Sequence, residues 1–318
     1  MTEQKKGFYE FGPLTDKDVV VKIHQPGNDD TEVLIVDEQE IRLSFQKTGI
    51  IPDPRILIPE LRDMKCHDDD IYICAYPKCG THWVWEMCQM LIKGKAEYHS
   101  KAKESVMLEF HLPEEFKELP RPRVFNTHFT PICMPNQAIE KKCKFILIHR
   151  NPKDIVTSLY HHMKKSKINM DETTTWNDYL QYMLKNDREV SSNWLFYNKK
   201  WSAFKSSHPE VPCLTVNYEC LKMEPLKTLT KIAQFIGFER DDEFLKKILD
   251  KCSVNKMKEE EKKRETDTHV ASSEFVSNLY RKGVIGDWKN IFTVAENELF
   301  DEYLKQNLTD EELHFVYE

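Results

Sequence analysis

Ile71-Tyr72-Ile73-Cys74-Ala75 is an unbroken apolar run, Tyr76-Pro77-Lys78-Cys79-Gly80 a short loop, and from Thr81 to Leu91 the apolar residues take helical spacing. A run that is apolar at every position suits a strand covered on both faces. A strand that passes through a tight loop into a helix is the unit of a parallel α/β sheet. The first N–H groups of such a helix have no intrahelical acceptor, and the helix dipole puts partial positive charge behind them. With a lysine and a glycine in the loop, the segment reads as a cradle for a phosphorylated or sulfated nucleotide. It also fits an ordinary strand-to-helix turn with an exposed lysine.

The same alternation continues along the chain. Further strands are expected at Val124–Thr127, Lys144–Ile148 and Cys213–Asn217. Helices are expected at Thr81–Lys93, Asp154–Met163, Trp176–Asn186, Ser192–Ser206, Pro225–Ile236 and Asp241–Cys252. This pattern predicts an α/β fold, a central parallel sheet flanked by helices, with a P-loop-like phosphate-binding strand-loop-helix. Residues 1–50 read as an N-terminal extension. In it, Val19–Ile23 and Glu32–Val36 are short β-like runs around the turn-rich Gln25–Asp30, which suits a hairpin or arm. Ile51-Pro52-Asp53-Pro54 reads as irregular, and residues 51–318 as a single α/β domain. The charge run Lys256–Glu265 reads as a solvated helix end or mobile loop.

Ligands in open α/β sheets collect beyond the carboxyl ends of the strands. Each expected strand here is followed at once by a group with chemical capacity: Lys78, His128, Arg150 and Tyr218. Arg150-Asn151-Pro152-Lys153-Asp154, with Ser158 one turn on, suits a bidentate phosphate clamp. It equally suits a helix start with Asn151 as cap and Asp154 on the dipole. Arg281-Lys282-Gly283, followed by Gly286-Asp287-Trp288, is a second basic cluster with a backbone able to approach a phosphate, though an ordinary charged turn has the same composition. Imidazole suits proton removal from a hydroxyl near neutral pH, which makes His128 the candidate base, although a lone histidine after a strand is often structural. Trp83 follows the loop and is placed to stack on a base. Phe110 and Phe129 are candidates for an apolar acceptor pocket, with a core role as the default for both.

Net charge is -7, so an anion site must be local, and neither nucleic acid nor an acidic membrane is expected as a partner. The nine cysteines are odd in number and contain no C-x-x-C pair, the usage of a reducing compartment. No histidine spacing suggests a metal, and none is expected. No apolar run approaches the roughly 18 residues a membrane span needs. The first residues do not read as a signal peptide. A soluble cytoplasmic protein is expected.

Taken together, these segments resemble the cytosolic sulfotransferases. Tyr76-Pro77-Lys78-Cys79-Gly80-Thr81-His82-Trp83 is similar to their 5′-phosphosulfate loop, Arg150–Asp154 with Ser158 to their 3′-phosphate site, and Arg281-Lys282-Gly283-Val284-Ile285-Gly286-Asp287-Trp288-Lys289 to their RKGxxGDWK signature. The likeness runs from about residue 50 to the C-terminus. It implies 3′-phosphoadenosine 5′-phosphosulfate (PAPS) as donor and co-substrate, PAP as product, no metal, and a small hydroxyl or amine acceptor. On this resemblance Lys78 would stabilise the bridging oxygen and His128 would be the base. Lys78, Cys79, Gly80, Thr81 and His82 would hold the 5′-phosphate, and Trp83 and Tyr218 the adenine, with Cys252 nearby. Arg150, Ser158, Arg281, Lys282 and Gly283 would hold the 3′-phosphate. Met107, Phe110 and Phe129 would line the acceptor pocket, whose apolar character suggests an aromatic or lipophilic acceptor. The segment from Lys289 to Glu298 matches the family's dimer motif KxxxTVxxxE, which implies a homodimer through Lys289, Thr293, Val294 and Glu298.

The chain departs from the family pattern in four places. Cys79 stands for serine, His82 for threonine, Val254 for an aromatic residue, and Asn126 for a lysine that helps stabilise the transferring sulfuryl group. Asn126 keeps open a second reading, a PAPS- or PAP-binding protein with little catalysis. A P-loop small-molecule kinase is a third, opposed by a lysine that precedes the loop's glycine instead of following it.

Overall fold

The computed structural model describes residues 11–23, 31–42, 51–166, 173–185, 188–263, 280–308 and 315. Strands β1 (Val19–Ile23), β2 (Thr31–Val36) and β3 (Gln39–Arg42) form an antiparallel sheet. Strands β4 (Ile71–Ala75), β5 (Val124–Thr127), β6 (Lys144–His149) and β7 (Cys213–Asn217) form a parallel sheet in the order β5-β4-β6-β7. Every residue of β4 is buried, as its unbroken apolar run requires. Its register places Ile71 beside Val124 and Lys144, and Ala75 beside Ile148. The strand ends are therefore nearly flush, and the residues after them emerge along one edge.

Residues 51–53 are irregular as expected, and helix α1 (Pro54–Arg62) begins at the end of that stretch. Asp53 caps it by accepting from the Arg55 N–H at 3.0 Å, and Pro54 fills the first turn, where its missing N–H costs nothing. Helix α2 (Thr81–Lys93) runs between two left-handed glycines, Gly80 and Gly94. Its buried face includes Trp85, whose indole N–H donates to the Val124 carbonyl at 3.0 Å and pins α2 to β5. Next come α3 (Asn136–Glu140), α4 (Pro152–Ser166), α5 (Trp176–Lys185) and α6 (Trp194–Ser207). The chain continues through α7 (Tyr218–Met223), α8 (Pro225–Ile236), α9 (Asp242–Lys251), α10 (Val254–Lys263) and α11 (Val294–Asn307). Asp241 lies just outside α9 as its cap, accepting from Phe244 N–H at 2.7 Å. The charge run expected from Lys256 is helical as far as Lys263, and its remainder lies outside the described residues.

In the N-terminal sheet, β2 and β3 join through Asp37 and Glu38, both with positive φ (45° and 69°). Two successive left-handed residues are the geometry of a type I′ hairpin turn, here without glycine. The hairpin packs on the rest of the chain. Ser191 N–H donates to the Glu38 carbonyl at 2.8 Å, Gln39 to Thr130 Oγ1 at 2.7 Å, and Arg188 pairs with Glu40 at 2.6 Å.

At the opposite edge of the parallel sheet from the site, the Arg123 guanidinium pairs with the Asp70 carboxylate, and both are almost fully buried. Their carbonyls accept from Ile71 and Lys144, so the pair ties the starts of β4, β5 and β6. Removing one partner leaves a buried charge uncompensated. Arg123→Ala is expected to destabilise the chain by about 3–5 kcal/mol in chemical denaturation. A loss well below that range would show the pair to be dispensable.

Candidate functional site

A cavity of about 260 Å³ opens at the carboxyl edge of the parallel sheet. Its floor is the turn after β4. Lys78 and Gly80 are both left-handed, with φ of 71° and 96°. A Cβ on Gly80 would sit 2.9 Å from Tyr218 Cδ2, so both backbone and space demand glycine there. No side chain caps α2, which leaves its first N–H groups directed at the cavity, where Thr81, His82 and Trp83 line the wall. Trp83 meets Tyr218 edge-on at 5.6 Å, and its indole N–H is buried with no hydrogen-bond partner among the described residues. The Cys79 side chain is buried in the core and does not line the cavity.

Lys78 sits among like charges. Burial, and then the cations Arg150, Lys103 and Arg281, bring its ammonium down to about 7. Such crowding of cations in a partly desolvated pocket is relieved by a bound anion.

The neighbouring strand ends complete this wall. Arg150 follows β6, donates through Nη1 to the Lys78 carbonyl at 2.8 Å, and lies 4.4 Å from the centre of the Tyr218 ring. Its Nε–H is buried with no partner among the described residues, a donor available to a ligand. Ser158, two turns into α4, lines the same wall. Asn151 acts as the sequence suggested, its side chain accepting from Lys153 N–H at 2.9 Å. Glu219 accepts the Asn151 N–H at 2.9 Å and joins the α4 start to α7.

His128 follows β5 and faces the cavity. Its Nδ1 lies 2.6 Å from the Ala75 carbonyl oxygen. A carbonyl only accepts, so Nδ1 carries the proton, and in the neutral ring Nε2 holds a lone pair. Burial, with Lys103 adding repulsion, lowers the imidazole to about 3. Glu109 fixes the segment by accepting from Thr127 Oγ1 at 2.8 Å and from the His128 backbone N–H.

The C-terminal segment closes the cavity from another side. Asp154, in the first turn of α4, accepts from the N–H groups of Gly286 and Trp288 at 2.8 and 3.0 Å. That brings Arg281, Lys282 and Gly283 to the cavity wall. Gly283 is left-handed (φ 64°), and a Cβ there would collide with Val254. Both basic side chains already have a counterion. Lys282 pairs with Asp287 at 2.7 Å, and Arg281 pairs with the other oxygen. Burial alone would raise Asp287, but the hydrogen bonds from Lys282 and Arg281 outweigh it and pull it down to about 2.

Met107, Phe110 and Cys252 also line the cavity. Phe129 does not. It is a core residue, and Trp201 donates to its carbonyl at 3.2 Å. Among the lining residues not singled out from the sequence are Lys103 and Glu104. They are 3% and 2% exposed, on a single 3-10 turn, Lys103–Val106. Glu104 pairs with His82 Nε2 at 3.1 Å. Lys101-Ala102-Lys103-Glu104 has the composition of a solvated surface, and a 3-10 turn gives no periodic apolar pattern to reveal its burial. Of the residues expected at a dimer contact, Thr293 caps α11 in a reciprocal pair with Glu296, and Val294 is 77% exposed. Lys289 and Glu298 are also at the surface.

A family model described as Sulfotransferase domain matches residues 68–312. The chain is 32% identical over 270 residues to Sulfotransferase 1C2 of Homo sapiens, covering 81% of this chain and 90% of that protein. To Sulfotransferase 1A1 of Rattus norvegicus it is 34% identical over 270 residues, covering 81% and 91%. Among solved structures, mouse sulfotransferase SULT7A1 complexed with PAP matches with a TM-score of 0.65 and 27% identity, over 81% of this chain and 91% of that one. Retinol dehydratase in complex with androsterone and inactive cofactor PAP shares the fold, with a TM-score of 0.69 and 15% identity over 90% and 91%.

A depressed imidazole pKa keeps His128 neutral through the physiological range. In the ligand-free protein, its ring nitrogens followed by NMR are expected to show the Nδ1–H tautomer unchanged from pH 8 to pH 5. Titration near the ordinary histidine value of about 6.5 would contradict the burial described.

Proposed function

The chain belongs to the sulfotransferase family, and on that premise we propose that it moves a sulfuryl group from PAPS to a hydroxyl or amine of a small aromatic or lipophilic acceptor, with His128 as general base. The observation that carries this reading is the lining of a single cavity. Lys78, Arg150, Arg281 and Lys282, the open start of α2 and a neutral His128 all face it.

In this reading the donor's 5′-phosphate rests on the N–H groups of Gly80, Thr81 and His82. The buried Nε–H of Arg150, without a partner among the described residues, the Ser158 hydroxyl and the basic pair at Arg281 and Lys282 take the 3′-phosphate beside Gly283, sharing the pair with Asp287. Adenine lies against Trp83 and Tyr218 near Cys252. The acceptor occupies the side of Met107 and Phe110.

The acceptor oxygen attacks sulfur as His128 Nε2 takes its proton. The bond from sulfur to the bridging oxygen breaks, and the electron pair leaves with the 5′-phosphate of PAP. Lys78 is half protonated near neutral pH when no anion is present. The incoming phosphate raises its pKa, so the ammonium is charged when the bridging oxygen gains charge. Positioning and fixed charge supply most of the acceleration.

Transfer of labelled sulfate from PAPS to a panel of phenols and alcohols tests this. His128→Ala is expected to lower kcat about 10²–10⁴-fold, the usual contribution of a positioned base. Lys78→Met is expected to lower kcat by about 10² or more, the order seen for loss of a charge-stabilising donor. Tight PAP binding with no turnover on any acceptor would favour the binding-protein reading.

We further infer a homodimer through Lys289, Thr293, Val294 and Glu298, supported by the exposure of Val294 at the first turn of α11. Light scattering at micromolar concentration is expected to give twice the chain mass, and a monomer mass would end the inference. The cysteines are free thiols, most of them buried, which supports a cytoplasmic, reducing setting.

A further inference from the structure

Lys103 has no role in the reading so far, yet it is a cation built into the wall of the cavity. It is 3% exposed. Its Nζ donates to Asn126 Oδ1 at 2.8 Å and touches Met107 Sδ at 3.6 Å. Asn126 Nδ2 returns a hydrogen bond to the Lys103 carbonyl at 3.0 Å. An isolated parallel bridge between Met107 and Asn126 holds the two segments in register. The amide is thus a socket, made by both its ends, for one particular lysine.

Burying an ammonium is costly, and stability does not call for it, since an apolar side chain of similar volume would pack there at lower cost. Glu104 Oε1, at 3.8 Å, offsets the charge only in part because it is shared with His82. The positive charge of Lys103 is felt by both Lys78 and His128. Those are the groups assigned to the two ends of the displacement, so this ammonium lies where both ends can sense it.

We propose that Lys103 is a catalytic residue whose ammonium, aimed by Asn126, binds the oxygens of the sulfuryl group while it passes from the donor to the acceptor. The inference rests on the sulfuryl-transfer reading. No further chemistry is added. The bond from the acceptor oxygen to sulfur forms and the bond to the bridging oxygen breaks. The electron pair leaves on PAP, the proton goes to His128, and Lys103 keeps its own protons. Asn126 is then no lesion. It has exchanged carrying the charge for holding the residue that carries it.

The test separates kcat from binding. Lys103→Met is expected to lower kcat about 10²-fold, the order found when one donor to developing charge is removed, with KM for PAPS and thermal stabilisation by PAP unchanged. Lys103→Gln, which keeps a hydrogen-bond donor, guards against a folding defect and is expected to lose kcat in the same way. Asn126→Lys alone places two ammonium groups together and is expected to lower activity. The double variant Lys103→Met with Asn126→Lys is expected to recover at least about tenfold over Lys103→Met, since it restores one cation to the same spot. Parental kcat in Lys103→Gln overturns the proposal, and so does loss of PAP stabilisation in step with kcat, which marks a structural role. A rise in activity for Asn126→Lys alone overturns it as well. In each of these cases a parent chain that transfers sulfate leaves the function standing. A parent chain with no turnover removes the function first.

Discussion

Two carbonyl oxygens, one at the last residue of β4 and one in the turn after it, hold the site together. Ala75 accepts from His128 Nδ1 and Lys78 accepts from Arg150 Nη1. One short stretch of backbone therefore orients the base at the end of β5 and the clamp at the end of β6. The first bond selects the tautomer that leaves Nε2 with a lone pair, and the second brings the guanidinium over the Tyr218 ring. The turn after β4 takes a left-handed path through Lys78 and Gly80, and the missing Cβ of Gly80 permits both that path and the close approach of Tyr218. The parallel register makes this possible, because flush strand ends deliver their next residues to one edge.

The electrostatic design follows from crowding. Desolvation depresses Lys78 most, and Arg150, Lys103 and Arg281 sit close enough to depress it further. The carboxylates nearby do not undo it. Asp287 is engaged by Arg281 and Lys282, Glu104 by His82, and Glu109 by Thr127 and the His128 backbone. Each acid fixes the position of a wall segment more than it neutralises the centre. A bound anion relieves this crowding, and strength of binding follows from charge already held in place. Asp154 extends the same logic over distance. By accepting two backbone N–H groups it draws residues 281–288 onto α4, which is how a cluster more than a hundred residues away in sequence joins the wall.

Much of this was legible in the sequence for a physical reason. Strands buried on both faces, such as β4 and β5, cannot hide, and β4, β5 and β7 begin and end where expected. The groups after those strands are at the cavity because the register leaves them nowhere else to go. What failed to show was structure without a period. The β2–β3 turn uses Asp37 and Glu38 where glycine or asparagine would have announced it. Helix α1 starts inside a proline-rich stretch and contains Pro59. Cys79 and Phe129 carried the expectation of motif neighbours, yet in each the backbone lies near the site while the side chain turns into the core.

The case of Asn126 shows where reasoning by position reaches its limit. A motif records which residue type stands at which place along the chain, whereas a transition state responds to charge at a point in space. Lys103 lies 23 residues before Asn126 and its Nζ is 2.8 Å from the amide oxygen. A substitution that looks like the removal of a cation is, in the folded chain, a change in which segment provides it. The surrounding composition gave no sign, because a buried lysine followed by a buried glutamate reads as solvated surface until the fold is known. The burial itself is the evidence. A charge kept out of water against its own solvation, with both ends of a buried amide committed to holding it, is explained by a demand for positive charge at that point in the cavity.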